Sequence, residues 1–216
     1  MFMARYTKGA LGAFSGKLGN IVGSNWRHID YLRSLPKPSK KPATKRQLEQ
    51  RAKFALAVTF LSTIKDILNI GFGDSKRGTK TGYNEAVSAM LKNSISGVYP
   101  DYEIDYPKVE ISRGSLLGLI GLTMSETMPM ELTINWQDFT NRFHAFDDDD
   151  VVAVLFNETK KLFMVYEEAQ RQDGELHIEL PAVFNGDEIA VWMFLVNRDG
   201  DTTSPSQFAG SLTLMG

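Results

Sequence analysis

The sequence of 216 residues contains no cysteine. This absence excludes disulfides, thiolate nucleophiles and cysteine-ligated zinc sites together. Histidine is scarce as well, since His28, His144 and His177 lie far apart and form no pair at metal-ligand spacing. We therefore expect a protein without a bound metal or cofactor.

Long apolar runs are also lacking. No run approaches the roughly 18 consecutive apolar residues of a membrane-spanning helix. Residues 1–17 do not form a secretory signal, because Lys8 and several glycines interrupt their apolar residues. We expect a cytoplasmic protein, or one assembled from the cytoplasm into a particle such as a virion, with no membrane partner.

Catalytic motifs are missing too. The serines are not set in a G-x-S-x-G elbow. Gly73 and Gly78 have the separation of a phosphate-binding loop, but Thr79 intrudes before Lys80. The acidic run Asp147–Asp150 is typical of a solvated turn or of loose calcium binding, although the EF-hand spacing is absent. We predict that the protein is not an enzyme.

Charge is distributed unevenly along the chain. Residues 1–53 contain twelve Lys and Arg against two acids, and residues 101–216 contain seven against twenty-one, although the whole chain has a net charge of only −2. A basic head on an acidic body indicates a polyanionic partner. The same asymmetry suits head-to-tail association between copies of the chain.

The basic head contains the stretch "GAFSGKLGNIVGSNW" over residues 12–26. Together with Gly9, its glycines make five within the fifteen residues 9–23, and each would cost a helix about 1 kcal/mol relative to alanine. The stretch therefore favours a hairpin or three-stranded ribbon with a turn at Ser15-Gly16. A membrane-active amphipathic helix and irregular structure are the alternatives.

A proline-rich basic segment follows, "RSLPKPSKKPATKR" over residues 33–46. Its three prolines favour an extended path, either as a solvated strap or as an arm that docks on phosphates or carboxylates. Together with the ribbon, it supplies the candidate partner-binding residues. These are Lys17, Trp26, Arg27, Arg33, Lys37, Lys40, Lys41, Lys45 and Arg46.

Two helices are predicted next. Thr44 and Gln47 form a capping box that opens a long helix, and Gly71 ends it. A second helix of about twelve residues follows a loop over 71–82 and ends at Gly97.

From Tyr106 onward the hydrophobic period changes to two. We predict seven short strands: "KVEIS", "ELTINW", "VVAVLFN", "KLFMVYEE", "ELHIEL", "EIAVWMFLVN" and "GSLTLM". The fold class is α+β, with a basic ribbon, arm and two helices over residues 1–100 and a seven-stranded β-sandwich over 101–216. The second part should fold alone. "VVAVLF" and "IAVWMFLV" are apolar on both faces, which predicts central strands or strands covered by the helices.

Two resemblances accompany these patterns. "ELTINWQ" and "LPAVFNGDEIAVWMFLVNRDGDTTSPS" resemble strands of a fibronectin type III or immunoglobulin-like module. "GAFSGKLGNIVGSNW", "YLRSLPKPSKKPAT" and "QLEQRAKF" resemble the opening of a Bacteroidota protein family of unknown function, and the likeness extends over most of the chain.

The resemblances imply an architecture but no catalytic residues. The sequence favours a structural protein, such as a phage or prophage virion component, that binds protein subunits and self-associates through its basic arm and β-sandwich. The alternative is a nucleic-acid-binding protein whose basic arm holds the phosphate backbone weakly and without sequence preference.

Overall fold

The computed structural model describes residues 3–5, 15–26, 29–37, 41–73, 80–141 and 143–215. The chain forms two compact units, residues 1–44 and residues 45–216. Helices and antiparallel strands are both present, so the predicted α+β class is confirmed.

The first unit is a single antiparallel sheet, which we call the first sheet. Its strands are β1 (Met3–Arg5), β2 (Gly16–Leu18), β3 (Ile21–Trp26) and β4 (Ile29–Ser34), in the order β1-β4-β3-β2. The predicted strand structure is confirmed, but the turn predicted at Ser15-Gly16 is wrong. Leu18 pairs with Ile21 across a Gly19-Asn20 turn, where Gly19 supplies the positive φ of 57°.

The second unit begins with helices α1 (Lys45–Leu61) and α2 (Lys65–Gly71), joined by a 3-10 turn over Ser62–Ile64. Helix α3 spans Gly82–Asn93, and the Oγ1 of Thr81 caps it by accepting a hydrogen bond from the backbone N–H of Asn84 at 3.1 Å. The two predicted helical segments are therefore present.

Helix α3 ends earlier than predicted. A hairpin of β5 (Ile95–Val98) and β6 (Asp101–Ile104) occupies the residues that were expected to continue the helix to Gly97. The hydroxyl of Ser94 donates to the carbonyl of Lys108 at 2.5 Å, which redirects the chain away from the helix axis. Gly97 lies within the hairpin at a φ of 87°, so it serves a strand rather than a helix end.

Seven strands follow, in two sheets. The central sheet has the order β10-β9-β12-β13 and the outer sheet the order β11-β8-β7. Their bounds are β7 (Ile120–Met128), β8 (Glu131–Gln137), β9 (Asp150–Asn157), β10 (Leu162–Gln170), β11 (Glu175–Glu179), β12 (Glu188–Val196) and β13 (Gln207–Thr213).

Strands β9 and β12 are apolar on both faces, as the sequence predicted, because they lie in the middle of the central sheet. On one face Val154, Phe156 and Trp192 pack against helical residues that include Phe60 and Leu68. The opposite face packs against the outer sheet through a second buried cluster. The second unit therefore has three layers: helices, central sheet and outer sheet.

Six of the predicted strands are present, and the prediction of a strand at "KVEIS" is wrong. Val109 and Ile111 alternate with polar residues because they are buried, but no strand pairs with them. The backbone N–H of Ile111 instead donates to the Oγ of Ser206 at 2.9 Å. Strand β7 was missed because Gly121 and two register shifts against β8 interrupt its alternation.

By length and composition alone, the segment Lys45–Gly71 could cross a membrane. An 18-residue window within it has a mean hydropathy of 1.4. One third of that window is buried within the fold. Its residues Ala57, Phe60, Leu61, Ile64 and Leu68 belong to the core between the helices and the central sheet. Packing into the core therefore accounts for part of the apolar character of this segment.

In the structure, the boundary between the two compact units lies between Thr44 and Lys45. The change of hydrophobic period in the sequence had predicted a boundary near residue 100. The physical reason is the shared core. Helices α1 to α3 cover one whole face of the central sheet, so they belong to the same unit as the strands.

Residues 101–216 alone should not reach the native fold, whereas residues 45–216 should. Without the helices, the apolar face around Trp192 and Phe156 would be exposed to water. Amide NMR spectra of the two fragments check this. A well-dispersed spectrum of 101–216 would show that the strands need no helical layer.

Phe60→Ala should lower the free energy of unfolding by about 3–5 kcal/mol, as truncating a buried aromatic residue does. The Phe60 ring lies 4.9 Å from Phe156 and 5.0 Å from Phe163, so it joins the helices to the central sheet. Phe54→Ala on the same helix is the control, because Phe54 is 51% exposed and should change stability little. Urea unfolding of both variants measures the difference, and equal effects would contradict the three-layer core.

Candidate functional site

The basic residues predicted to bind partners fall into three places. Lys17 lies on β2, Trp26 at the end of β3 and Arg33 on β4, all within the first sheet. Lys37 and Lys41 are exposed in the proline-rich segment after that sheet. Lys45 and Arg46 open α1 and so belong to the second unit. Arg27 and Lys40 lie outside the described residues.

The start of α1 carries charge of an unfavourable sign. Its first turn has no acidic residue, while Lys45 and Arg46 are both exposed there. Positive charge at a helix N-terminus opposes the helix dipole by a few tenths of a kcal/mol or more. These two residues therefore contribute little to the stability of their own helix.

Within the first sheet, none of the described hydrophobic residues is buried. Leu18 is 66% exposed, Trp26 49% and Ile21 45%. Fully burying one such side chain would contribute about 1.5–3 kcal/mol, so this unit leaves much hydrophobic stabilisation unrealised. The sheet therefore leaves large apolar side chains exposed.

The two units have opposite charge. Residues 1–44 contain eight Lys and Arg against Asp30, a net charge of +7, and residues 45–216 contain sixteen against twenty-five acids, a net charge of −9. The boundary between the units is thus also a boundary between a basic and an acidic part. The charge asymmetry found in the sequence therefore coincides with the division into two units.

The acidic run Asp147–Asp150 has structural contacts. Asp149 is fully buried, and its Oδ2 accepts hydrogen bonds from the Nε of Arg171 at 3.0 Å and from the backbone N–H of Phe146 at 2.9 Å. Asp148 pairs with Arg198 at 3.3 Å. Among the described residues no group of three or more His, Asp and Glu is arranged to hold a metal ion.

A feature that the sequence did not reveal adjoins this run. The loop between β8 and β9 exposes three aromatic side chains: Phe143 (78% exposed), Phe139 (44%) and Phe146 (41%). Beside them is an open cavity of about 690 Å³ lined by Phe146, Asp147 and Gln172, with Thr140, Asn141, Ala145 and Asp148. Scattered phenylalanines within a polar segment carry no periodicity, which is why pattern analysis passed over them.

Two smaller cavities lie beside β10. One of about 350 Å³ is lined by residues of the 3-10 turn, α2 and β10, and one of about 250 Å³ by residues that include Phe60, Tyr106 and Phe163. Tyr106 is half-buried there, and burial, together with a hydrogen bond to Glu158, raises the pKa of its phenol above the usual range. A neutral phenol in an apolar cavity packs as a core side chain and supplies no base.

Residues 13–210 match the model of a family of unknown function, DUF6266. The chain belongs to that family. The match covers most of the sequence, and so confirms the predicted likeness to a family of unknown function. No curated protein matches the chain.

Membership in DUF6266 assigns no activity, so the candidate site rests on geometry alone. There are two candidate surfaces, one in each unit. The first is the exposed first sheet with its basic residues, and the second is the aromatic loop with its acidic neighbours.

Arg171→Met should lower the free energy of unfolding by about 3–5 kcal/mol, because it leaves the Asp149 carboxylate buried without its ion partner. Both side chains are at most 1% exposed. Arg198→Met is the matched control, since the Arg198–Asp148 pair is exposed and should contribute at most about 1 kcal/mol. Thermal unfolding of both variants tests this, and an equal loss would mean that the buried pair has no special role.

Proposed function

We propose that this protein is a non-enzymatic assembly component. It binds other protein subunits, including copies of itself, through its basic first sheet and proline-rich segment. One observation carries this proposal: the first sheet buries none of its described hydrophobic residues. An apolar surface of this kind gains stability when another chain covers it.

The charges support association between copies. A unit of +7 and a unit of −9 on the same chain are complementary between molecules, with the head of one copy on the body of the next. Such a heterologous contact closes into a ring or extends as a filament. Long-range attraction also raises the rate at which two copies meet.

The strand order supports a finer interpretation of the second unit, an immunoglobulin-like sandwich of fibronectin type III kind. The sheets β10-β9-β12-β13 and β11-β8-β7 together hold seven antiparallel strands. Trp136 lies in the buried cluster between them, and its Nε1 donates to the carbonyl of Arg171 at 2.8 Å. A Trp packed between two sheets is a feature of such sandwiches.

A phage or prophage virion component is the assembly role that we favour. Its support is associational: a cysteine-free chain that joins a basic arm to a β-sandwich suits a particle built in the cytoplasm. Neighbouring portal, tail or capsid genes would support this placement.

A nucleic-acid-binding role is the alternative, favoured by the exposed Lys17 and Trp26 on one basic sheet. Basic residues hold a phosphate backbone, and an exposed aromatic ring can stack on a base. The acidic second unit opposes it, because a charge of −9 repels a polyanion at low salt.

The full-length protein should self-associate in light scattering, more strongly at low salt than at high salt, because opposite charges are screened. Gly19→Val should weaken association, since Gly19 has a φ of 57° that a β-branched residue adopts only with strain. Gly19→Asn is the control, because Asn tolerates this conformation and nothing lies within 4 Å of the added Cβ.

A full-length protein that stays monomeric at every concentration and salt would contradict self-assembly. Binding to random duplex DNA should be no tighter than about 10⁻⁶ M at physiological salt. Tight binding that depends on sequence would favour the nucleic-acid role instead.

A further inference from the structure

The described residues of the aromatic loop between β8 and β9 are held by hydrogen bonds. The Oδ1 of Asn141 accepts hydrogen bonds from the backbone N–H groups of Phe143 at 2.9 Å and His144 at 2.8 Å. The N–H of Asn141 donates to the carbonyl of Ala145 at 2.7 Å, and the carbonyl of His144 accepts from Leu117 at 2.7 Å. These bonds link Asn141, Phe143, His144 and Ala145 to one another and to the body of the unit.

The exposed rings of this loop are not needed by the core. Phe143 lies at the turn with 78% of its surface exposed, while Phe139 and Phe146 flank it. A turn that is closed by hydrogen bonds and exposes rings of this size is preorganised for binding, because little conformational entropy remains to be lost. Aromatic residues are also the residue type most enriched at the centres of protein interfaces.

Acidic residues gather at the loop's end of the central sheet. The register pairs Asp150 with both Gln170 and Val196, so the segments 138–150, 171–173 and 197–201 meet at that end. Together these segments contain eight aspartates against three arginines, a net charge of −5. Arg171 and its partner Asp149 are both buried, so this pair cancels and the remaining residues keep the same net charge.

The opposite end of the central sheet is apolar and less acidic. Val183 is 66% exposed and Met215 64%. The segments 158–161 and 180–188 contain two lysines against three acids, and the carboxylate of Glu126 accepts from the backbone N–H of Met215. Exposed apolar groups therefore occur at both ends, but the end with the aromatic loop combines them with the larger negative charge.

We infer that the aromatic loop, with its aspartates, is the surface that receives the first sheet and proline-rich segment of a second copy of this chain. The occupant is specified by charge complementarity. Lys17, Lys37 and Lys41 are exposed on that basic part, as are the apolar groups of Leu18, Ile21 and Trp26. Apolar rings then face apolar side chains, and aspartates face lysines. This inference rests on the proposed self-association.

Phe143→Ser should weaken self-association of the full-length protein at least tenfold, as expected for an aromatic residue at the centre of an interface. Val183→Ser is the matched control, because Val183 is comparably exposed at the less acidic end. Its association should change less than twofold. Analytical ultracentrifugation gives both constants, and unchanged thermal midpoints show that both variants remain folded.

Charge reversal identifies the occupant. Asp147→Lys with Asp199→Lys should weaken association, as should Lys37→Glu with Lys41→Glu. All four changes in one chain should restore association toward the original value, since opposite charges again face each other. If the fourfold variant associates as weakly as the sum of the two double-variant effects predicts, the two surfaces do not pair with each other.

The outcomes separate this inference from the proposal beneath it. If the wild-type chain associates, but the Phe143 and Asp147 variants associate as well as the Val183 control, the loop is not the receiving surface and self-assembly stands. If the wild-type chain does not associate at all, both are wrong.

Discussion

The structure of the second unit depends on two strands that must be buried on both faces. Along β9 and β12 successive side chains point to opposite sides of the central sheet, and on both sides they are apolar. Each face therefore needs its own cover. The outer sheet buries one face and the helices bury the other, with Phe60 packed edge-on against Phe156. This constraint explains why helices that precede the strands by many residues form one unit with them.

Two buried polar groups of these layers, on Trp192 and Asp187, have specific partners. The Nε1 of Trp192 donates to the carbonyl of Tyr106 at 3.0 Å. The large indole ring can therefore be buried on the helix side of the sheet while its N–H keeps a hydrogen-bond partner. On the other side of the sheet, Asp187 accepts from Asn157 at 2.7 Å and from Lys160, and these hydrogen bonds lower the pKa of its carboxyl. Its contribution to stability is therefore present above the carboxyl pKa of the unfolded chain. It is lost as the pH falls through the lowered value.

Sequence reasoning recovered the elements whose periodicity reflects burial. The double-faced strands β9 and β12 and the helices were predicted because packing alone decides their patterns. The segment around Val109 was misassigned because alternation reports burial, whereas a strand also requires a partner for its backbone, and here the backbone N–H of Ile111 pairs with a serine hydroxyl. The basic residues were found from their composition. The aromatic loop was not, since only the fold shows that Phe143 is exposed and that its loop lies at the end of the central sheet where three aspartate-containing segments meet.

The contrast between the two units bears on function. The second unit buries hydrophobic residues in both of its cores, whereas none of the described hydrophobic residues of the first sheet is buried. Conformational entropy opposes the ordering of every residue in that sheet, and buried area is the main term that offsets it. Under the proposed self-association, a sheet of this composition gains stability when another surface covers it. Its positive charge then favours an acidic surface, and the aromatic loop of a second copy combines that charge with apolar area.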